Sequence, residues 1–265
     1  MSLTESVSVC YKRKKRSYIV KKLMLGSIFL SVAMLSYGDL LLDETFSYSN
    51  GGLTNVSNGS WVRNSGSDSP STPLVSSGAI TVSRSNADDV YRKFSGTTYS
   101  SGNLYYKFTL DMGTLPATAA SGYYLAGLGQ SSTIIRDRLY VTTDGTSGGD
   151  YQIGVGNDEL GVRWGSDLNL DTTYTIVVMA DLDNDVTKLW IDPTSELSTS
   201  VSFTDADTYA VDSIKIRQAT GIGISTIDDL RVGTTFTDVV PEPATLSLVA
   251  LSGVLMLIIR RASRR

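Results

Sequence analysis

Histidine is missing from all 265 residues, and cysteine occurs once, at Cys10. Without histidine the chain can build no Ser-His-Asp or Cys-His nucleophile system and no imidazole-ligated zinc or iron site. A single cysteine excludes an internal disulfide and an iron–sulfur cluster. Cys10 also precedes the first apolar run, so export would remove it and leave no thiol nucleophile. Glutamate is scarce as well. Residues 39–240 carry 25 acidic side chains, of which only Glu44, Glu159 and Glu196 are glutamate, against 12 basic ones, a net charge of −13. An acidic excess of that size argues against nucleic acid or anionic lipid as a partner of this segment. Aspartate favours turns and oxygen-rich cation sites, whereas glutamate favours helices. The composition therefore predicts an all-β body.

The basic residues withheld from the middle sit at the two ends, seven within residues 1–22 and four within 260–265. The basic cluster Lys12-Arg13-Lys14-Lys15-Arg16 and Lys21-Lys22 precede thirteen mostly apolar residues, LMLGSIFLSVAML, and then Ser36-Tyr37-Gly38. A basic lead, an apolar stretch and small residues at the cut describe a secretory signal peptide over residues 1–38, cleaved before Asp39. An uncleaved anchor is the alternative. A start at Val20 would shorten the leader to the usual size.

Near the C-terminus, Ala244 to Ile259 is a sixteen-residue stretch without a charge, followed by Arg260, Arg261, Arg264 and Arg265. As a helix it reaches roughly 24 Å, enough for a ~30 Å hydrocarbon core once the bilayer thins or the arginines snorkel. The arginine cluster holds that end in the cytoplasm, so the body faces outward. Immediately before the helix stand Pro241, Glu242 and Pro243. The two prolines enforce an extended stretch that no helix absorbs, which leaves the triplet presented outside the membrane.

Residues 240–265 resemble the PEP-CTERM sorting signal of envelope-rich Gram-negative bacteria: a Pro-Glu-Pro triplet, a transmembrane helix and a terminal arginine cluster, in that order. The resemblance implies an exosortase as processing partner, removal of the helix, and a mature protein at the cell surface or outside the cell. The domain plan is then a signal peptide over 1–38, a body over 39–236, and a linker with the sorting signal over 237–265.

The body shows no sustained 3.6-residue repeat. Gly, Ser, Thr, Asn and Asp punctuate it every 8–12 residues, the pattern of many short strands. The clearest strands are 104–110, 123–128, 138–142, 151–155, 174–181, 186–191, 213–217 and 227–232; 50–59 and 64–77 read as loops. Tyr174–Asp181 is nearly all apolar, so it belongs in the centre of a sheet covered on both sides. Three stretches together resemble concanavalin-A-like, laminin-G-like jelly rolls: the opening LLDETFSYSNGGL with Gly59-Ser60-Trp61, the hairpin YTIVVMADLDNDVTKLWIDP, and the closing IDDLRVGTTFTDVV. The resemblance implies two stacked antiparallel sheets in a β-sandwich, with the last strand returning beside the first.

Three chemistries follow for sites. The turn Asp181-Leu182-Asp183-Asn184-Asp185 offers oxygen ligands at alternate positions, which can suit Ca²⁺. Its sixth position is Val186 rather than glycine and its flanks are strands, so a plain hairpin turn is the competing reading. Carbohydrate would be held by aromatic side chains stacking on sugar faces, with Trp61, Tyr123, Tyr124, Trp164 and Tyr151 as the stock and Asp158, Glu159 and Arg163 rimming one loop. Trp190, on the central hairpin, reads as core. Glycoside hydrolysis needs two carboxylates placed across the scissile bond. No Glu-x-Asp-x-x-Glu run of the laminarinase kind is present, and lyase chemistry on uronates usually recruits His, Tyr, Arg or Lys, of which the histidine is missing. The expectation is a non-catalytic module that binds polysaccharide or builds matrix; a carbohydrate-active enzyme on the same fold is the alternative.

Overall fold

The computed structural model describes residues 38–66, 72–83, 88–94, 96–130, 134–205 and 209–241. The leader, Glu242, Pro243, the segment 244–259 and the terminal arginines lie outside the described residues. Among those described, no helix is long and apolar enough to cross a membrane.

Apolar residues alternating at a period of two become strands here, because one face of each can be buried while the other stays polar. Sixteen strands occur among the described residues: β1 (Leu40–Glu44), β2 (Gly51–Gly52), β3 (Val62–Ser65), β4 (Leu74–Ser76), β5 (Ala79–Ser83), β6 (Asp89–Lys93), β7 (Asn103–Thr114), β8 (Tyr123–Gln130), β9 (Ile134–Thr142), β10 (Gln152–Gly156), β11 (Val162–Arg163), β12 (Thr173–Asp181), β13 (Val186–Ile191), β14 (Val201–Thr204), β15 (Ser213–Ile216) and β16 (Ile224–Gly233). Two single-turn helices, α1 (Leu53–Val56) and α2 (Phe236–Val239), complete the set.

The strands form two antiparallel sheets stacked as a jelly-roll sandwich. The first runs β14-β13-β12-β7-β16-β5-β4-β2, with β1 also paired to β16; the second runs β11-β10-β9-β8-β15-β6-β3. The closing strand inserts between β7 and β5 and takes the opening strand beside it, with Leu42 opposite Val232 and Glu44 opposite Leu230. All eight strands expected from the sequence are present, most of them a few residues longer than the pattern showed. The stretches read as loops at 50–59 and 64–77 instead contain β2, α1, β4 and part of β3. These elements are short and lie toward sheet edges, so little apolar alternation marks them.

The core between the sheets is built from inward residues of both, among them Leu104, Phe108 and Ile176 from the first and Leu128, Leu139 and Ile214 from the second. A smaller cluster sits on the outer face of the first sheet. There Tyr105, Val177, Met179 and Trp190 are covered by Phe236 and Val239 of α2. Burial on both sides explains the nearly continuous apolar run of β12. It also places Trp190 in this satellite cluster, where its ring meets Phe236 edge-on at 5.6 Å. A capping box at Thr235 and Asp238 fixes the start of α2. Asp39, the first residue after the predicted cut, donates its N–H to Thr234 Oγ1 at 2.8 Å and accepts from the Thr234 N–H at 3.1 Å. Both ends of the body are therefore held together.

Candidate functional site

The outer face of the second sheet gathers a different set of side chains. On β9 the inward residues Leu139 and Val141 join the core, so Arg138 and Tyr140 project outward, while a bulge at Asp137 sets Arg136 opposite the core residue Leu128 with its guanidinium 6.0 Å from the Tyr209 ring centroid. On β15, Ile214 and Ile216 point in, and the alternate Lys215 points out, followed by Arg217 just past the strand end. Tyr124 on β8 lies opposite Tyr140, Tyr91 on β6 opposite Lys215, and Arg163 on β11 opposite Gly154. With Lys93 from β6, five of the body's 12 basic residues share this one face.

Their contacts differ in kind. Arg163 is well engaged, donating to Asp144 Oδ2 at 2.7 Å and to the Asp144 carbonyl at 2.6 Å. Lys93 pairs with Asp212 at 2.8 Å. Arg136 and Arg138 share Asp158 at 3.7 and 3.5 Å, a loose arrangement around a carboxylate that is 78% exposed. Arg138 also donates to Tyr140 Oη at 3.3 Å, and Tyr140 in turn donates to the Asn157 carbonyl at 2.7 Å. Lys215 reaches Asn64 Oδ1 at 3.2 Å, and burial holds its ammonium down at about 8. The stem of Lys215 crosses Gly129, where an added Cβ would come within 2.5 Å of the lysine Cε.

At the centre is Tyr124. The Arg217 guanidinium lies 4.0 Å from its ring centroid and that of Arg138 lies 4.8 Å from it. Cation–π contact of this kind holds a guanidinium in place without using its donors. Among the described residues Arg217 makes no ion pair and its side chain meets no hydrogen-bond acceptor, so its planar fork stays available to a bidentate anion. Burial raises the Tyr124 phenol above its ordinary value, against the two arginines, so it is a neutral hydroxyl near neutral pH.

Of the aromatic residues expected to line a site, only Tyr124 is on this face. Trp61 is 1% exposed and stacks on Phe46 within the sandwich, so its assignment to ligand binding is corrected: the ring fills core volume. Tyr151 is fully buried as well. Tyr123, one residue from Tyr124 and therefore of opposite parity, packs against the main core beneath Gly221, where an added Cβ would meet its ring. Trp164 also packs against the core from the loop after β11. Asp158 and Arg163 of the expected loop do reach the face. The residues missed were Arg138, Tyr140, Lys215 and Arg217, although the spacings Arg138-x-Tyr140 and Lys215-x-Arg217 carry the signal of one strand face.

The acidic turn is a turn. Asp181 Oδ1 accepts the N–H groups of Asp183 and Asn184, both at 3.1 Å, and Asp183 Oδ2 accepts the Gly102 N–H at 3.0 Å. Asp185 adopts φ 54°, the left-handed conformation such turns need. Among the described residues no group of three or more His, Cys, Asp or Glu side chains is placed to hold a metal ion. Asp88 is 1% exposed and lies beside Arg63. Of the sorting triplet only Pro241 is described, and it is exposed.

No protein-family profile matches the sequence, and no curated protein matches it either. Solved structures do share the fold. A sialidase aligns over 74% of this chain at 13% identity with a TM-score of 0.42, this chain spanning 19% of the sialidase. An alginate lyase from Zobellia galactanivorans aligns over 72% of this chain and 94% of its own, at 13% identity and a TM-score of 0.41. Peanut lectin aligns over 66% of this chain and 97% of its own, at 13% identity and 0.37. At that distance the likeness is one of fold alone. Enzymes, a sialidase and an alginate lyase, stand among these neighbours in fold, and the expectation of a non-catalytic module is corrected to that extent.

Proposed function

We propose that this chain is an exported envelope protein whose jelly roll engages an extracellular polysaccharide, and whose C-terminal tail is a temporary membrane anchor cut by an exosortase. The polysaccharide reading is carried by one observation: the outer face of the second sheet presents Tyr124, Tyr140 and five basic side chains across neighbouring strands. Polar and aromatic groups spread along a sheet suit an extended chain of hydroxyl-rich rings. The sorting reading rests on the sequence of residues 240–265 and on the leader. It is supported by the pairing of Asp39 with Thr234, which lets both ends be trimmed without opening the sandwich.

Intact mass and terminal peptide mapping of the protein recovered from envelope and medium test the sorting. A chain running from near Asp39 to near Pro241–Pro243 is expected. A chain that keeps Arg265 in the inner membrane would overturn it. Retention on immobilised polysaccharides tests the ligand class, and failure on neutral and acidic glycans alike would sink that part.

A further inference from the structure

We infer that the centre of this face is a subsite for an anionic sugar, with Arg217 and Arg138, held over the Tyr124 ring, receiving the carboxylate or sulfate group of an acidic polysaccharide. The inference rests on the carbohydrate reading above and narrows it to a charge class.

Three features carry it. First, Tyr124 is poorly suited to stack on a neutral sugar, because two guanidinium groups already lie over its ring at 4.0 and 4.8 Å. Tyr140 meets the same ring at 6.1 Å, so the centre of the face offers cations rather than an open aromatic platform. Second, two like charges on one ring repel, and the protein offsets them incompletely. Arg217 has no carboxylate within ion-pair distance among the described residues, and Arg138 has only the exposed Asp158 at 3.5 Å. One acid that feels Arg217 is Asp89, whose carboxylate already accepts from the Gln218 N–H at 2.9 Å and the Ser65 hydroxyl at 2.9 Å. An arriving anion would complete the arrangement, taking two parallel N–H bonds from the free fork of Arg217. Third, the cations form a row. From Arg163 on β11 through Arg138 on β9 and Lys215 on β15 to Lys93 on β6, the face crosses five strand spacings. That is roughly 24 Å at the usual distance between neighbouring strands. A row of that length matches repeated charges along a polymer better than a single small anion. It also stands out against a body whose net charge is −13, where five of the 12 basic residues lie on one surface.

The test uses the full chain in detergent with three probes: a uronic-acid oligomer, sulfated dextran, and neutral dextran. Binding to at least one acidic probe, weakened by added salt and stronger than to neutral dextran, is expected. Arg217→Gln should reduce that affinity about tenfold or more, since it removes a charge-assisted bidentate contact. Arg217→Lys, which keeps the charge but not the planar fork, should fall between the two. Arg217 pairs with no carboxylate, so both variants should melt with the wild type, which separates lost binding from lost folding. Preference for the uronate oligomer assigns the acid as a carboxylate, preference for sulfated dextran as a sulfate ester. Neutral dextran bound as tightly as the acidic probes, or acidic binding unchanged in Arg217→Gln, would overturn this inference and leave the carbohydrate reading standing. No binding to any probe would overturn both.

Discussion

Trp61 donates its indole Nε1–H to Glu44 Oε2 at 3.0 Å, a contact that ties the loop before β3 to the end of β1. The same carboxylate is paired with Arg92 on β6 of the opposite sheet and accepts the Tyr48 hydroxyl at 2.7 Å. Glu44 Oε1 accepts the Phe46 N–H at 2.7 Å. Every strong donor near this 3% exposed carboxylate is thus committed to it, and one acid joins the two sheets at this end of the sandwich. A buried acid persists only when paired and hydrogen-bonded in this way.

Glu44→Ala should therefore be among the most damaging single changes in the body. It strands the Arg92 guanidinium and the Trp61 N–H in a mostly dry site, at a cost of about 3 kcal/mol. Glu44→Gln keeps an acceptor oxygen and should cost less. Urea unfolding of the two variants checks the order, and equal losses would show that the ion pair matters little.

Asp137 gives a pH dependence of definite sign. Its side chain lies between the sheets, accepting from the Thr187 hydroxyl at 2.6 Å and from the Tyr209 hydroxyl. Burial pushes its carboxyl up to about 6, against those two hydrogen bonds. The folded protein thus binds this proton more tightly than the unfolded chain does, whose aspartate titrates near 3.9. Its contribution favours folding at low pH and is lost as pH rises from about 4 through 6. Asp137→Asn should remove that slope, on the order of 3 kcal/mol between the two ends. Thermal melts from pH 4 to 8 read the difference between variant and wild type. A parallel pair of curves would place the Asp137 proton elsewhere.

Asp167 titrates in the opposite sense. The N–H groups of Gly148 and Ser147 and the Gln152 side chain hold its carboxyl well below the usual range. Its stabilisation is present above the ordinary aspartate value and fades as pH falls below it. Asp167→Asn should loosen the 147–149 turn, with faster amide exchange there at pH 7 and little difference at the acid end.

Phe236 seals the satellite cluster from α2, edge-on to Tyr105 at 6.2 Å and to Trp190 at 5.6 Å. Phe236→Ala should cost about 3 kcal/mol, as for other large-to-small changes under a small cap. It should also expose Trp190, shifting its fluorescence to the red, and open the chain to protease near Val240. An unchanged emission spectrum would mean that α2 is not what keeps water from Trp190.

The Asp181 turn should answer to hydrogen bonding. Asp181→Ala removes acceptors for two backbone N–H groups and the Asn184 side chain and should cost about 1 kcal/mol. Asp181→Asn, which keeps one acceptor oxygen, should cost less. Millimolar calcium should leave the melting temperature of the wild type where it was; a rise that Asp181→Asn abolishes would restore the cation reading.

Period-two patterning was enough to locate eight strands, the all-β class and the central position of β12, because alternation and continuous apolarity report directly on how many faces a strand buries. The same reasoning lost the short strands of the first half, where pairing rather than side-chain burial makes the strand. The proposed leader and sorting tail rest on linear patterns, which are read without any fold.

The candidate face was a different matter. Local sequence identified aromatics but could not say which way they point, and parity decides that: Tyr124 projects outward while its neighbour Tyr123 turns into the core. Nor could it bring Arg217 from β15 over a ring on β8, some ninety residues earlier, since strand order is a property of the closed sheet. Class and strand positions were written in the order of residues. The gathering of five of the body's 12 cations on one surface, with a guanidinium at its centre that pairs with no carboxylate among the described residues, came only with long-range pairing, because charge at a site is a sum over neighbours in space.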